Sequence, residues 1–175
     1  MLVEGESDQA ALEALAVRRG LDLAAAGVAI VAMGGATNIR VFLREYGQAV
    51  VGGLCDAAEV DVFQRALGTR DIEAFGFFVC DVDLEDELIR ALGTARVEQI
   101  IAAAGELASL RTLQKQPAQR YRTLEHQLRR FMGVRSTRKF RYARLLVAAL
   151  EPDEVPRPLL RVLDRAAQSD GAQTA

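Results

Sequence analysis

With 175 residues, half of them hydrophobic, the chain has the material for one domain, or for a compact core with an appended helical part. No charged-then-apolar leader opens it and no apolar run approaches the ~20 residues that cross a bilayer, which argues against a membrane span and makes a soluble, cytoplasmic protein the expectation. The net charge of −2 conceals an asymmetry: Arg111 to Arg144 holds eleven Lys or Arg and one acid, Glu125, so this stretch is +10 and the remainder −12. Such a split suits a polyanion partner for the basic part, or two halves that neutralise each other by packing together.

In chain order, Met1–Val3 is a very short apolar run ending at Glu4-Gly5. Ser7 is placed to cap a helix from Asp8 to about Arg19, closed by Gly20. "GVAIVAMGG" (27–35) is β-branched and bounded by glycines, so a buried strand is expected. "ATNIRVFLREYG" has helical spacing at Ile39, Phe42, Leu43 and Tyr46. "AVVGGLCD" (49–56) is the next strand, a helix follows around Val60 to Leu67, "FGFFVC" (75–80) is another strand, and "LEDELIRALG" begins the next helix. Apolar strands alternating with helical crossovers indicate a parallel sheet covered on both faces. From Thr94 the strand signal stops. Helices are expected at 97–104, 106–114, 121–132, 136–150 (capped by Ser136) and 158–167 (opened by Pro158). The division expected is an α/β core at 1–93, a basic helical region at 94–168 packed on it, and a disordered tail at 169–175. The first strand is shorter than the usual ~5 residues, which implies either a truncated strand or a natural start further upstream. Cys55 and Cys80 lie in apolar runs. Parity permits a disulfide, but small buried thiols in adjacent core strands are the expectation.

Acids occur where strands end: Glu4, with Asp8 one helical turn later; Asp56; and Asp81, Asp83 and Glu85. The carboxyl ends of parallel strands in an open α/β sheet face one crevice. Clustered carboxylates stay ionised only with a cation among them, and oxygen-only ligands suit Mg²⁺ or Mn²⁺. Two such ions can activate a water and stabilise the leaving oxygen of an in-line displacement at phosphorus, while a nearby Lys or Arg steadies the equatorial oxygens. Any one of these acids could equally cap the following helix; three strand ends together are harder to explain that way. Arg129, Arg130, Arg135, Arg138, Arg141 and Arg144 are the candidates for gripping a nucleic-acid backbone without sequence readout. Tyr121, Phe131, Phe140 and Tyr142 are interleaved with them, in positions suited either to stacking on unpaired bases or to a helical core. His126, the single histidine, sits in no zinc-like or Ser-His-Asp spacing.

"LVEGESD" (2–8) resembles the opening motif of TOPRIM domains, and "GLCDAAE" (53–59) the second. "FVCDVDLEDELIRALG" (78–93) resembles the Asp-Leu-Glu segment of the TOPRIM nucleases of the OLD (overcoming lysogenization defect) family, and "STRKFRYARLL" (136–146) their lysine-bearing helix. The resemblance spans nearly the whole chain. It implies a Rossmann-like TOPRIM fold and a Mg²⁺- or Mn²⁺-dependent endonuclease. Metal would be held by Glu4, Asp8, Asp56, Asp83 and Glu85, and Glu4 and Lys139 would be catalytic. The family's second motif carries two aspartates one residue apart; here the second position is Ala58, and the adjacent Glu59 is expected to point elsewhere. OLD nucleases also carry an ABC-type ATPase. No G-x-x-x-x-G-K-[ST] loop occurs here, and the glycines of Met33–Asn38 are expected to form a strand-to-helix turn, so an ATPase would be another chain. A homodimer is compatible with the resemblance. The rival readings are a catalytically weak TOPRIM module that binds nucleic acid or a partner ATPase, and a small phosphohydrolase with Asp56 as nucleophile.

Overall fold

The computed structural model describes residues 1–168, so the tail expected at 169–175 lies outside the described residues. Two-residue strands β1 (Leu2–Val3) and β2 (Val31–Ala32) and four-residue strands β3 (Gly53–Asp56) and β4 (Phe77–Cys80) form one parallel sheet in the order β2-β1-β3-β4. The strand expected over 27–35 pairs with β1 only at Val31 and Ala32, because β1 itself ends where Gly5 turns the chain. Its hydrogen bonds nonetheless continue along the chain, Met33 N–H to the Val3 carbonyl at 2.8 Å and Gly35 N–H to that of Glu4 at 3.0 Å. The glycines at 34 and 35 both have positive φ and lead into a short 3₁₀ turn, the strand-to-helix turn expected there.

The closeness of β1 to β3 depends on Gly53. A Cβ at this position would fall 1.8 Å from the Leu2 carbonyl oxygen, an overlap with backbone that no rotamer relieves. Gly52, at φ +142°, is pressed in the same way against the Gly76 carbonyl. The Gly-Gly pair therefore lets a two-residue strand serve as an inner strand of the sheet.

Helices α1 (Glu6–Arg18), α2 (Ile39–Tyr46), α3 (Val60–Leu67) and α4 (Leu84–Leu92) follow the four strands. Helices α5 (Thr94–Ala103), α6 (Leu107–Gln114), α7 (Leu124–Gly133), α8 (Ser136–Ala149) and α9 (Arg157–Gln168) make up the rest. Alternation along the strands sorts side chains to two faces. Leu2, Cys55 and Phe77 join Ile39 of α2 and Phe63 of α3 on one face. Val3, Leu54, Phe78 and Cys80 join α1, α4, α8 and α9 on the other. Both cysteines are free and buried on opposite faces, so neither lies opposite the other for a disulfide.

Three caps differ from expectation. Gly5, not Ser7, precedes α1, because the Asp8 carboxylate accepts the Gly5 N–H at 2.8 Å and the helix opens one residue before Ser7. Thr123 caps α7 by accepting the His126 N–H, which delays that helix to Leu124. Ser136 is the first residue of α8 rather than its cap.

Helix α8 lies along α1, burying Tyr142, Ala143, Leu146 and Val147 in the same core as Ala11, Leu12 and Leu15. Carbonyls at and just past its C-terminus accept from arginines elsewhere. Arg18 donates to Val147 and, at 2.6 Å, to Leu150; Arg96 donates to Ala149. These bonds pin the helix that carries Lys139. Phe131 and Tyr142 pack edge to face at 6.0 Å and belong to the core, whereas Tyr121 is 89% exposed.

Candidate functional site

The ends of β1, β3 and β4 are neighbours in the sheet, so the acids that follow them are delivered to one rim. Glu4, Asp8 and Asp56 line a recess of about 270 Å³ together with Gly34, Gly35 and Lys139. Asp83 and Glu85, at the start of α4, line an adjoining recess of about 370 Å³ with Lys139, Arg129, Arg130 and His126. Lys139 is common to both, which joins them into one polar rim. Asp81 is not part of it: the side chain turns out to Arg90 at 3.2 Å.

Each acid is held by a definable force. Asp8 is fixed by the Gly5 N–H; burial raises its pKa, with that hydrogen bond opposing. Burial, then the charges of Asp8 and Glu59, raises Glu4, and Glu4 Oε2 is buried without a hydrogen-bond partner. Asp56 is pushed up to about 7, first by burial and then by Asp8, Glu4 and Asp83. Asp83 caps α4, accepting the Asp86 N–H at 2.9 Å through one oxygen and Arg129 at 2.6 Å through the other. Glu85, 3% exposed, is pushed up to about 7 chiefly by burial. Its Oε2 meets Lys139 Nζ at 3.3 Å, while Oε1 is buried and unpartnered. For Lys139 itself burial works to lower the pKa, but Glu85, Asp8 and Asp83 outweigh it, and the ammonium is held in its charged form.

Among the described residues no three carboxylate, histidine or cysteine side chains close around one point as a ready cage for a metal ion. The chain's own cations divide the acids: Lys139 draws on Glu85 and Arg129 on Asp83. The chemistry of the donor set still fits a hard divalent cation. The candidate donors are oxygens only, two buried carboxylate oxygens lack any partner, and Asp56 and Glu85 are each pushed up to about 7, first by burial.

Glu59, expected to point elsewhere if alternation were strict, lies near enough for its charge to add to burial and Asp8 in raising the Glu4 pKa, while Ala58 is exposed. A 3₁₀ turn at Ala57–Glu59 shifts the acid relative to a simple alternation of residues. The basic stretch also differs from a uniform cationic wall. Arg138 and Arg141 are both committed to Glu106, at 2.7 and 2.8 Å, and line neither recess. Arg138 in addition lies over the Phe131 ring at 4.2 Å. Arg144 sits 5.9 Å over the Phe140 ring, and Arg135 is exposed. Of the arginines singled out from the sequence, only Arg129 and Arg130 reach the rim of acids. The two halves of opposite charge do neutralise each other in part, through Arg111–Glu98 as well as the pairs above.

The raised carboxylates set the pH dependence of stability. Asp56 ordinarily titrates at 3.8 and here at about 7, and Glu85 moves from 4.5 to about 7. The folded state binds these protons more tightly than the unfolded chain. Their favourable contribution is therefore full below about pH 4 and is lost as pH rises through 7. In EDTA the protein is expected to melt lower at pH 8 than at pH 5.5, and Mn²⁺ is expected to raise the melting temperature more at pH 8. Equal melting temperatures at both pH values, with no response to Mn²⁺, would contradict a cation-starved acid cluster.

Residues 1–49 match the family described as overcoming lysogenization defect protein-like, TOPRIM domain. No curated protein matches the sequence. In solved structures the fold recurs in the C-terminal region of the Xanthomonas campestris pv. campestris OLD protein (TM-score 0.71, 21% identity, 99% of this chain and 96% of that one). It recurs also in the C-terminal region of the Burkholderia pseudomallei OLD protein (TM-score 0.71, 20% identity, 97% of this chain and 96% of that one). At those identities the likeness is one of fold, parallel sheet and helical part together, and the motif at Glu4 lies inside the segment that the family match covers. The N-terminal segment 1–49 is thus similar to the OLD-like TOPRIM family, and the chain as a whole has the fold of the OLD C-terminal regions.

Proposed function

We propose that this chain hydrolyses nucleic-acid phosphodiester bonds with the help of Mg²⁺ or Mn²⁺. The observation that carries the reading is the gathering of acids from three adjacent strand ends on either side of one half-buried lysine, Lys139. TOPRIM domains generally bind divalent metal ions, and the OLD-like family is of nuclease type, which supports the assignment. Glu4, Asp8 and Asp56 would hold the ion on one side of Lys139, and Asp83 and Glu85 on the other. A bound divalent ion supplies Lewis acidity at the phosphate and lowers the pKa of a water.

The remaining chemistry falls to the chain. Glu4 has a partnerless carboxylate oxygen and an affinity for protons raised by burial, which suits it to take a proton from the attacking water. Lys139 stays protonated between the two groups of acids and is placed to neutralise charge growing on the phosphoryl oxygens. Asp83 and the Asp8–Gly5 bond fix the loops that aim these groups.

Supercoiled plasmid incubated with the protein and Mn²⁺ or Mg²⁺ is expected to become nicked, and EDTA is expected to prevent this. Intact plasmid, single-stranded DNA and RNA under those conditions would overturn the nuclease reading. A second reading, a catalytically weak module that binds nucleic acid or a separate ATPase chain, is favoured by Ala58 and by the lack of a closed carboxylate cage among the described residues. Calorimetric titration with Mn²⁺ separates the two, because the weak module requires no metal affinity.

A further inference from the structure

One face of α7 is unusual. His126, Arg129, Arg130 and Gly133 succeed one another at helical spacing, and all four line the 370 Å³ recess beside Asp83, Glu85 and Lys139. Both acids there are already matched, Asp83 by Arg129 at 2.6 Å and Glu85 by Lys139 at 3.3 Å. Arg130 is exposed, and no acid among the described residues pairs with it. The imidazole of His126, whose backbone N–H alone is used by Thr123, is left as a donor facing the same recess. The wall thus carries one charge and one donor more than its own acids consume.

Gly133 ends this face. Its φ is not positive, so the backbone places no demand for glycine, and a Cβ built there meets nothing within 4 Å. In a helix such a residue gives up stability relative to alanine. Neither strain nor crowding within the chain accounts for it. What a side chain at 133 would do is fill the recess.

We propose that this recess seats the sugar-phosphate backbone of a nucleic-acid strand next to the acid cluster, with Arg130 and His126 on its phosphate oxygens and Gly133 as the point where the strand passes closest to α7. The assignment rests on the nuclease reading for its substrate class. It goes further in naming His126 and Gly133, which carry no charge signal in the sequence, as determinants of binding. It also confines the grip to α7, leaving Arg138 and Arg141 with Glu106. Positive charge and a hydrogen-bond donor at a backbone-sized recess give affinity without sequence readout.

The test is fluorescence anisotropy of a fluorescein-labelled DNA oligonucleotide, single-stranded and as duplex, with the full chain carrying Glu4→Gln so that binding is read apart from cleavage. Two variants in that background separate charge from shape. Arg130→Gln is expected to weaken binding and to reduce the slope of log affinity against log salt by about 1. Gly133→Leu is expected to weaken binding about tenfold or more, by steric exclusion, while leaving the salt slope unchanged. Gly133→Ala, with a melting temperature equal to or above that of the parent, is expected to fall between. Binding of all three variants with the parent's affinity and slope overturns the proposal, as does a parent that binds neither form of the oligonucleotide. If the parent binds and only the variants lose affinity, yet the wild-type protein cleaves no substrate, the groove stands and the nuclease reading fails. If wild type cleaves and the variants bind normally, the groove fails alone.

Discussion

Replacing Glu4 by Gln is expected to lower metal-dependent cleavage by roughly a thousandfold or more, about 4 kcal/mol of lost transition-state stabilisation, without unfolding the protein. The substitution keeps size and shape and removes the charge of a carboxylate with an unpartnered buried oxygen. Burial, Asp8 and Glu59 all disfavour that charge. Neutralising it therefore relieves repulsion in the metal-free protein, and the melting temperature in EDTA should be equal to or above that of wild type. The gain from added Mn²⁺ should shrink at the same time. The combination is diagnostic: a structural role for Glu4 would lower stability, whereas a ligand role raises or preserves it and removes the metal response. A variant that cleaves at more than a tenth of the wild-type rate would remove Glu4 from the mechanism.

Lys139→Met is expected to reduce cleavage by roughly 10²- to 10³-fold and, unlike Glu4→Gln, to destabilise. Among the described residues Lys139 is the one ion-pair partner of Glu85, whose side chain is 4% exposed. Removing one member of such a pair leaves an uncompensated buried charge and costs about 3 kcal/mol, less here because Lys139 itself is 39% exposed. The loss should be greatest above pH 7, where Glu85 ionises, and small near pH 5, where it is protonated. Adding Glu85→Gln should restore stability but not activity, since the positive charge is still missing. Urea denaturation of the single and double variants at the two pH values checks the first half of this, and plasmid nicking the second. Equal stability of Lys139→Met and wild type at pH 8 would mean that the ion pair contributes nothing.

The parallel α/β sheet, the alternation of its helices and the acids at three strand ends were legible in the sequence because apolar runs and glycine stops report burial directly. Strand lengths were not. Residues 27–35 read as one long strand, but pairing depends on the partner, and β1 offers only Leu2 and Val3. The inner position of so short a strand depends on Gly53, whose meaning appears only when the Leu2 carbonyl is seen against it. Helix starts at Gly5 and Thr123 turned on local side-chain competition, with Asp8 displacing Ser7 as the group that settles the first turn. In the site, Lys139 was visible through a motif. Glu59 was set aside because simple alternation ignores a 3₁₀ turn, and His126 because a single histidine has no pattern to belong to. Among the six arginines, the pairing of two with Glu106 was not legible, because a single acid outside the basic stretch reaches them only in the folded chain.

The placement of Lys139 on a helix laid along α1 bears on how the molecule is made. The acids leave the ribosome well before the cation that steadies them, and until α8 docks, Glu4, Asp8, Asp56 and Glu85 lack the ammonium of Lys139. Completion of the acid rim therefore depends on contacts far apart along the chain, those of α8 with α1 above all. Protease nicking in the short connection between α7 and α8 would report whether that docking has taken place.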